Sequence, residues 1–143
     1  MKKTIILISA VIVVIAIVAI NYMNYQKQYG DILKYNLVFE ENYQKEIYGR
    51  DLTTIINRVI NNNEKNNVEI GENKIYEDNG TNSINIEIKM TDTGETYSME
   101  TIYNGGIEQF VQYYGNIKFK CTEIKYHKAT GKVSYLYFEQ ISE

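Results

Sequence analysis

The sequence predicts an α+β protein: an N-terminal transmembrane helix continuing into an amphipathic helix that packs on a 4-5-stranded antiparallel sheet with one short helix. Three observations carry this prediction. An uncharged apolar run follows a short basic flank. Apolar residues then recur at helical spacing as far as Ile60. After Val68 the apolar pattern changes to a period of two, which is the signature of half-buried strands.

The flank is Met1-Lys2-Lys3, and Thr4 and Ser9 are the only polar residues between it and Ile20. Extended through Met23, the run is about 30 Å long as a helix, which matches the hydrocarbon core of a bilayer. It is apolar all round, and Tyr22 and Tyr25 stand at its end, where amphipathic rings favour the interface. A cleaved signal peptide has a shorter apolar core. Val14-Ile15-Ala16 would serve as its cleavage site, but the apolar run continues past it. There is no Leu-x-x-Cys, because the one cysteine is Cys121. The expectation is an uncleaved anchor over residues 4–23, in contact with membrane lipid. Lys2 and Lys3 place the N-terminus in the cytoplasm and the C-terminal domain outside, as a single-pass protein of the cell membrane.

Next come Tyr29, Ile32, Leu33 and Leu37, then Tyr43, Ile47, Leu52, Ile55, Ile56, Val59 and Ile60. With no proline to interrupt it, the run from Asn24 to Asn62 reads as a helix of roughly 60 Å. Gly30 and Gly49 are the positions where it could break, and Asp51 is placed to cap a new start. Asn61-Asn62-Asn63 is the expected end, since Asn tolerates left-handed backbone. The stripe from Leu52 to Ile60 is expected to pack on the sheet. The expected organisation is an anchor over 1–23, a helical stalk over 24–63 and a sheet ectodomain over 64–143.

In that ectodomain Asp78-Asn79-Gly80 follows Lys74-Ile75-Tyr76 and signals a hairpin. Ile84, Ile86, Ile88 and Met90 share one strand face. Closure at Thr93-Gly94 pairs Met90 with Tyr97, Ile88 with Met99, Ile86 with Thr101 and Ile84 with Tyr103. Asn104-Gly105-Gly106 then leads into Ile107, Phe110, Val111 and Tyr114, a short helix capped by Asn104 and ended by Gly115. A last hairpin over 116–142 turns at Ala129-Thr130-Gly131. Its apolar parity changes between Cys121 and Ile124, so a bulge near Thr122-Glu123 is expected. That bulge turns Phe119, Cys121, Ile124, Leu136 and Phe138 inward. Tyr135 and Tyr137 then face outward beside Lys125 and His127.

At 143 residues the chain holds one domain, which excludes a multidomain enzyme. One Cys excludes a disulfide framework or zinc cluster within the chain, and one His a multi-His metal site. Ile, Asn, Tyr and Lys supply 65 residues, and their AT-rich codons point to an AT-rich bacterial genome. Downstream of Lys3 there are 13 basic against 18 acidic residues. Such a domain lacks the clustered Lys and Arg that phosphate backbones require, so no nucleic-acid partner is expected. It would also be weakly repelled by anionic lipid.

Cys121 and His127 do not form a nucleophile pair on this reading, because Cys121 falls in the core and His127 near a hairpin tip. Glu77, Asp78 and Asp92 sit beside turns, where Asp is locally useful, and their spacing matches no metal site. Gly105-Gly106 lacks the longer spacing and Lys of a phosphate loop. No cofactor and no catalytic group is expected. The candidate partner-contact residues are Tyr135, Tyr137, Lys125 and His127, since exposed Tyr supplies large amphipathic contact area. The competing reading of the same residues is cross-strand stacking on an ordinary sheet surface.

A basic leader, an apolar helix continuing into an amphipathic one, and a sheet packed on that helix resemble the plan of type IV pilins and pseudopilins. The resemblance is architectural and covers the whole chain. It implies anchoring through the apolar half-helix and assembly of subunits with themselves or with other envelope proteins. The processing motif of that family is absent. No Gly, Phe or Glu lies between Lys3 and Ile20, and there is no helix-kinking proline. The stretch 113–140 also resembles small ectodomains of uncharacterised membrane-anchored proteins of low-GC Gram-positive bacteria. The expected function is that of a non-enzymatic, single-pass extracytoplasmic protein, a pilin-like structural or assembly component of the envelope. The alternative is a tethered binding domain that recognises a cell-wall or secreted ligand through its tyrosine-bearing sheet face.

Overall fold

With no proline and no side-chain conflict at Gly30, the backbone from Lys2 stays helical to Glu40 (α1, Lys2–Glu40). The computed structural model describes residues 2–141, so Met1 of the flank and Ser142 of the last hairpin lie outside the described residues. The chain divides into two compact units, Met1–Lys34 and Tyr35–Glu143. In the first, every large apolar side chain from Ile5 to Met23 is 52–68% exposed. An 18-residue stretch of α1 has a mean hydropathy of 2.9, so the helix is long and apolar enough to cross a membrane.

The second unit begins with the last turns of α1, where Asn36 and Phe39 are buried. The helix then stops, and Gln44 takes a left-handed φ of 60° while its N–H donates to the Cys121 carbonyl at 2.9 Å. A short strand, β1 (Glu46–Tyr48), leads into α2 (Gly49–Lys65). The stalk, whose continuity the sequence leaves open, is two helices separated by a strand. Gly30 is not a break, whereas Gly49 begins the second helix for a steric reason. Its N–H donates to the Ile117 carbonyl at 2.8 Å and that of Arg50 to the Gly115 carbonyl at 3.3 Å. These bonds satisfy two of the N–H groups that a helix start leaves open. They bring the chain so close that a Cβ on Gly49 would collide with the Tyr114 carbonyl. Asp51 lies in the first turn, but the N-cap position is Tyr48. The helix also passes the Asn61–Asn63 run and ends beyond it, at Lys65.

The stripe Leu52, Ile55, Ile56, Val59 and Ile60 is buried, as its spacing predicts. It covers one face of a five-stranded sheet of order β1-β4-β5-β2-β3, built from β2 (Asn85–Lys89), β3 (Thr96–Ser98), β4 (Lys118–Tyr126) and β5 (Val133–Gln140). Ile84, Ile86, Ile88 and Met90 all face this core, with Phe119, Cys121, Leu136 and Phe138 beside them. The bulge falls where the parity change requires it, between Cys121 and Glu123.

The sheet is mixed rather than antiparallel, because β2 pairs with β5 in parallel, Ile86 opposite Leu136. Parallel neighbours need a long connection, and the route through β3, the helix α3 (Met99–Tyr114) and β4 supplies one. Two expected hairpins change accordingly. Asp78-Asn79-Gly80 makes a loop of side-chain-to-backbone bonds. Asn79 Oδ1 accepts from the N–H groups of Thr81, Asn82 and Ser83, each at 3.0 Å. Tyr76 instead bridges to Ile70. In the β2–β3 hairpin Ile88 faces Tyr97, so the register is displaced by two residues and the apolar parity survives. From Met99 onward the chain is helix rather than strand, because Ser98 caps α3 by accepting from Thr101 N–H at 3.3 Å. Asn104 thus lies inside the helix it was expected to start.

Two buried asparagines hold the central parallel pair. Asn63 donates to the Ile84 carbonyl at 2.7 Å and accepts from the Ile84 N–H at 2.9 Å, at the entry to β2. Asn36 donates to the Gly131 carbonyl at 2.8 Å and accepts from the Val133 N–H at 2.9 Å, at the start of β5. Removing such a partner leaves buried backbone groups unsatisfied, at about 1–3 kcal/mol each. Asn63→Ala should therefore lower the melting temperature by roughly 10–20 °C in thermal denaturation. An unchanged melting temperature would show that this clamp does not hold the strand.

Candidate functional site

Tyr135, Tyr137 and Lys125 lie on the sheet face opposite the helices, because they alternate with the core residues Leu136, Phe138 and Ile124. Lys125 stands opposite Tyr135 in the β4–β5 ladder, with its Nζ 4.5 Å from the centre of the Tyr135 ring. The Tyr135 and Tyr137 rings stack with centroids 6.4 Å apart. The Tyr135 hydroxyl donates to Glu87 Oε2 at 2.7 Å, and Lys125 also pairs with Glu123 at 3.2 Å. Burial first, and the Glu87 carboxylate second, push the Tyr135 phenol well above its ordinary value. These side chains therefore satisfy one another across three strands, β4, β5 and β2.

His127 does not join them. It is buried, only 4% exposed, with its Nε2 2.7 Å from the Ser83 carbonyl and its Nδ1 3.5 Å from Asp78 Oδ1. The reason is the turn. His127 leaves the β4 ladder, its N–H donates to the Lys132 carbonyl at 2.8 Å, and the ring folds under the loop that precedes β2. Thr130 adds a bond from its hydroxyl to the Thr81 carbonyl at 2.7 Å. Asp78 at the rim of this cluster accepts from the Gly80 N–H at 2.8 Å, and that bond holds its carboxyl below the ordinary value. Burial opposes this shift, while the Ser83 hydroxyl and His127 add to it. Cys121 is buried in the sheet core, and desolvation pushes its thiol up to about 11. A thiol in that state is a poor nucleophile at neutral pH.

A concavity lies elsewhere, between α3 and the β2–β3 hairpin. It is a cleft of about 360 Å³ walled by Met90, Tyr97, Ile102, Phe110, Tyr113 and Tyr114, within the size range of small-molecule sites. Gly105 and Gly106 line it because the helix breaks there. Gly106 adopts φ 102° and ψ 107°, a conformation open to glycine, and α3 bends at that point. Phe110 anchors the lower part of the helix against Phe119, with ring centroids 6.0 Å apart, and packs on Tyr114 at 5.2 Å. Two carboxylates stand behind the aromatic wall. The Tyr114 hydroxyl donates to Asp92 Oδ2 at 3.2 Å and the Tyr97 hydroxyl to Glu95 Oε2 at 2.7 Å. Both phenols are raised above their ordinary value. For Tyr97 the Glu95 bond is the main cause; for Tyr114 it is burial, with Asp92 second. Among the described residues no group of three or more His, Cys, Asp or Glu is arranged to hold a metal ion.

The Gly-Gly pair and the Phe110 spacing are visible in the sequence, but the strand expected after Thr93-Gly94 holds both Tyr97 and Tyr103, whereas Tyr97 lies in β3 and Tyr103 in α3. The available signal was Ser98, three residues before the Thr101 that it caps. No family model matches the chain, and no curated protein or solved structure is similar to it at a significant level.

The Asp78 shift has a defined sign. A depressed folded value stabilises the protein above the ordinary carboxylate range near pH 4, and that stability is lost as pH falls through the folded value. Asp78→Asn should therefore be less stable than the parent chain at about pH 6, and the difference should close as pH falls below the ordinary carboxylate range. Denaturant midpoints measured across that range check it; a constant difference would dissociate Asp78 from the acid limb.

Proposed function

We propose that this chain is a single-pass membrane protein whose extracytoplasmic domain acts by binding rather than by catalysis. The observation that carries this reading is the exposure of the whole apolar surface from Ile5 to Met23, at 52–68% for each large side chain. So long an apolar surface is stable in lipid and costly in water. Lys2 and Lys3 precede it and favour an N-terminus in the cytoplasm. The binding reading is supported by the domain itself. Its cysteine is inert in the core and its histidine is engaged beneath a loop, whereas its cleft is open and aromatic.

A pilin-like assembly role is the second reading, and one feature of α1 favours it. Tyr25, Tyr29 and Leu33 recur every four residues beyond the membrane-length run, and each is at least 50% exposed. Such a stripe on a helix is suited to packing against another helix.

Protease added outside intact cells should degrade the domain and leave a membrane-embedded N-terminal fragment. Complete resistance in cells, with cleavage only after lysis, would reverse the orientation. In the same membranes Leu33→Cys should give disulfide-linked dimers under mild oxidation if the stripe is an assembly surface. A monomer under those conditions would leave the binding reading alone.

A further inference from the structure

We propose that the cleft between α3 and the β2–β3 hairpin binds an alkylated ammonium group, such as the trimethylammonium end of choline. The inference rests on the binding reading and specifies the ligand class. Its walls are four aromatic rings, Tyr97, Phe110, Tyr113 and Tyr114, and none of its lining residues is charged. Aromatic faces carry negative potential and attract a cation that has an apolar skin. The charge behind the walls points the same way. Asp92 and Glu95 accept hydrogen bonds from Tyr114 and Tyr97, which adds electron density to the two rings. The carboxylates themselves stay at the rim, in water. A free anion would meet two carboxylates and an aromatic lining, and a neutral apolar group would gain nothing from either carboxylate. A trimethylammonium group makes use of both, because its methyls desolvate easily and its charge spreads over them.

The glycine kink makes the space. A Cβ on Gly105 would meet no atom within 4 Å, so that side of the cleft is open rather than packed. Tyr113 is 67% exposed, which leaves its ring available to close on a bound group.

The test uses the full chain in uncharged maltoside micelles, titrated with choline and with its neutral isostere 3,3-dimethylbutanol. Choline should saturate the cleft, read as shifts of the Tyr97, Tyr113 and Tyr114 ring resonances, and bind at least about tenfold more tightly than the isostere. Tyr113→Ala, an exposed position, should weaken choline binding several-fold with an unchanged circular dichroism spectrum. Asp92→Asn combined with Glu95→Gln should weaken choline and leave the isostere unaffected. Equal affinity for choline and the isostere would overturn the cation proposal and keep a binding cleft for apolar groups. No saturable binding of either would overturn the proposal and remove the cleft as support for the binding reading. That reading would then depend on the sheet face, where weaker binding of the micelle-held full chain to purified cell-wall fragments on Tyr137→Ala is the separate measure.

Discussion

The domain depends on a pair of buried side-chain amides that stand in for strand neighbours. Asn63 from α2 and Asn36 from α1 each give one donor and one acceptor to a strand entry, at Ile84 and Val133. These two entries belong to β2 and β5, the parallel pair at the middle of the sheet. A parallel pair has no hairpin to set its register, so something else must align the strands. Here the helices do so, and His127 reinforces the alignment by tying the β4–β5 turn to Ser83. Because a buried amide without its partners is costly, the clamps are specific for one register and one helix placement.

Once β2 and β5 are aligned, the rest of the sheet follows from side-chain parity. Four apolar residues of alternate parity, Ile84 to Met90, meet the stripe of α2, and the bulge between Cys121 and Glu123 keeps β4 in phase with them. The opposite face is left with polar and tyrosine side chains that pair among themselves. That mutual pairing has a consequence for recognition. Tyr135 has its hydroxyl on Glu87, its ring under Lys125 and stacked with Tyr137, so a partner would have to displace existing contacts. The cleft beside α3 presents less of an obstacle, because the Tyr97 and Tyr114 hydroxyls are bonded to Glu95 and Asp92 and the Tyr113 ring is 67% exposed.

That cleft is itself a product of local conflict. Ser98 starts a helix, the residues after it continue one, and Gly105-Gly106 cannot hold it straight. The kink at Gly106 lets the first half follow the hairpin and the second half set Phe110 against Phe119. The space between is lined by Thr101 and Ile102 from the first half, by Phe110, Tyr113 and Tyr114 from the second, and by Tyr97 of β3. A helix with alanines there would be more stable and would leave less room.

Much of this was legible in the residues. The apolar run, the Leu52–Ile60 stripe, the alternation from Ile84 to Met90, and the Thr122-Glu123 bulge are consequences of periodicity, and periodicity depends only on neighbours along the chain. Gly49 was recognisable as a possible break from glycine's low helix propensity, which pointed equally to Gly30, where the helix continues; what decides Gly49, the nearby Tyr114 carbonyl, comes from a residue distant in sequence. What only the tertiary structure decided is long-range: the parallel β2–β5 pairing, the burial of His127 under the Ser83 loop, the clamps of Asn36 and Asn63, and the aromatic cleft. An asparagine reads as a turn or a helix end until a strand 21 or 97 residues away takes up its amide. A sequence displays local pattern directly, but the pairing of distant polar groups is fixed only when burial makes every alternative more costly.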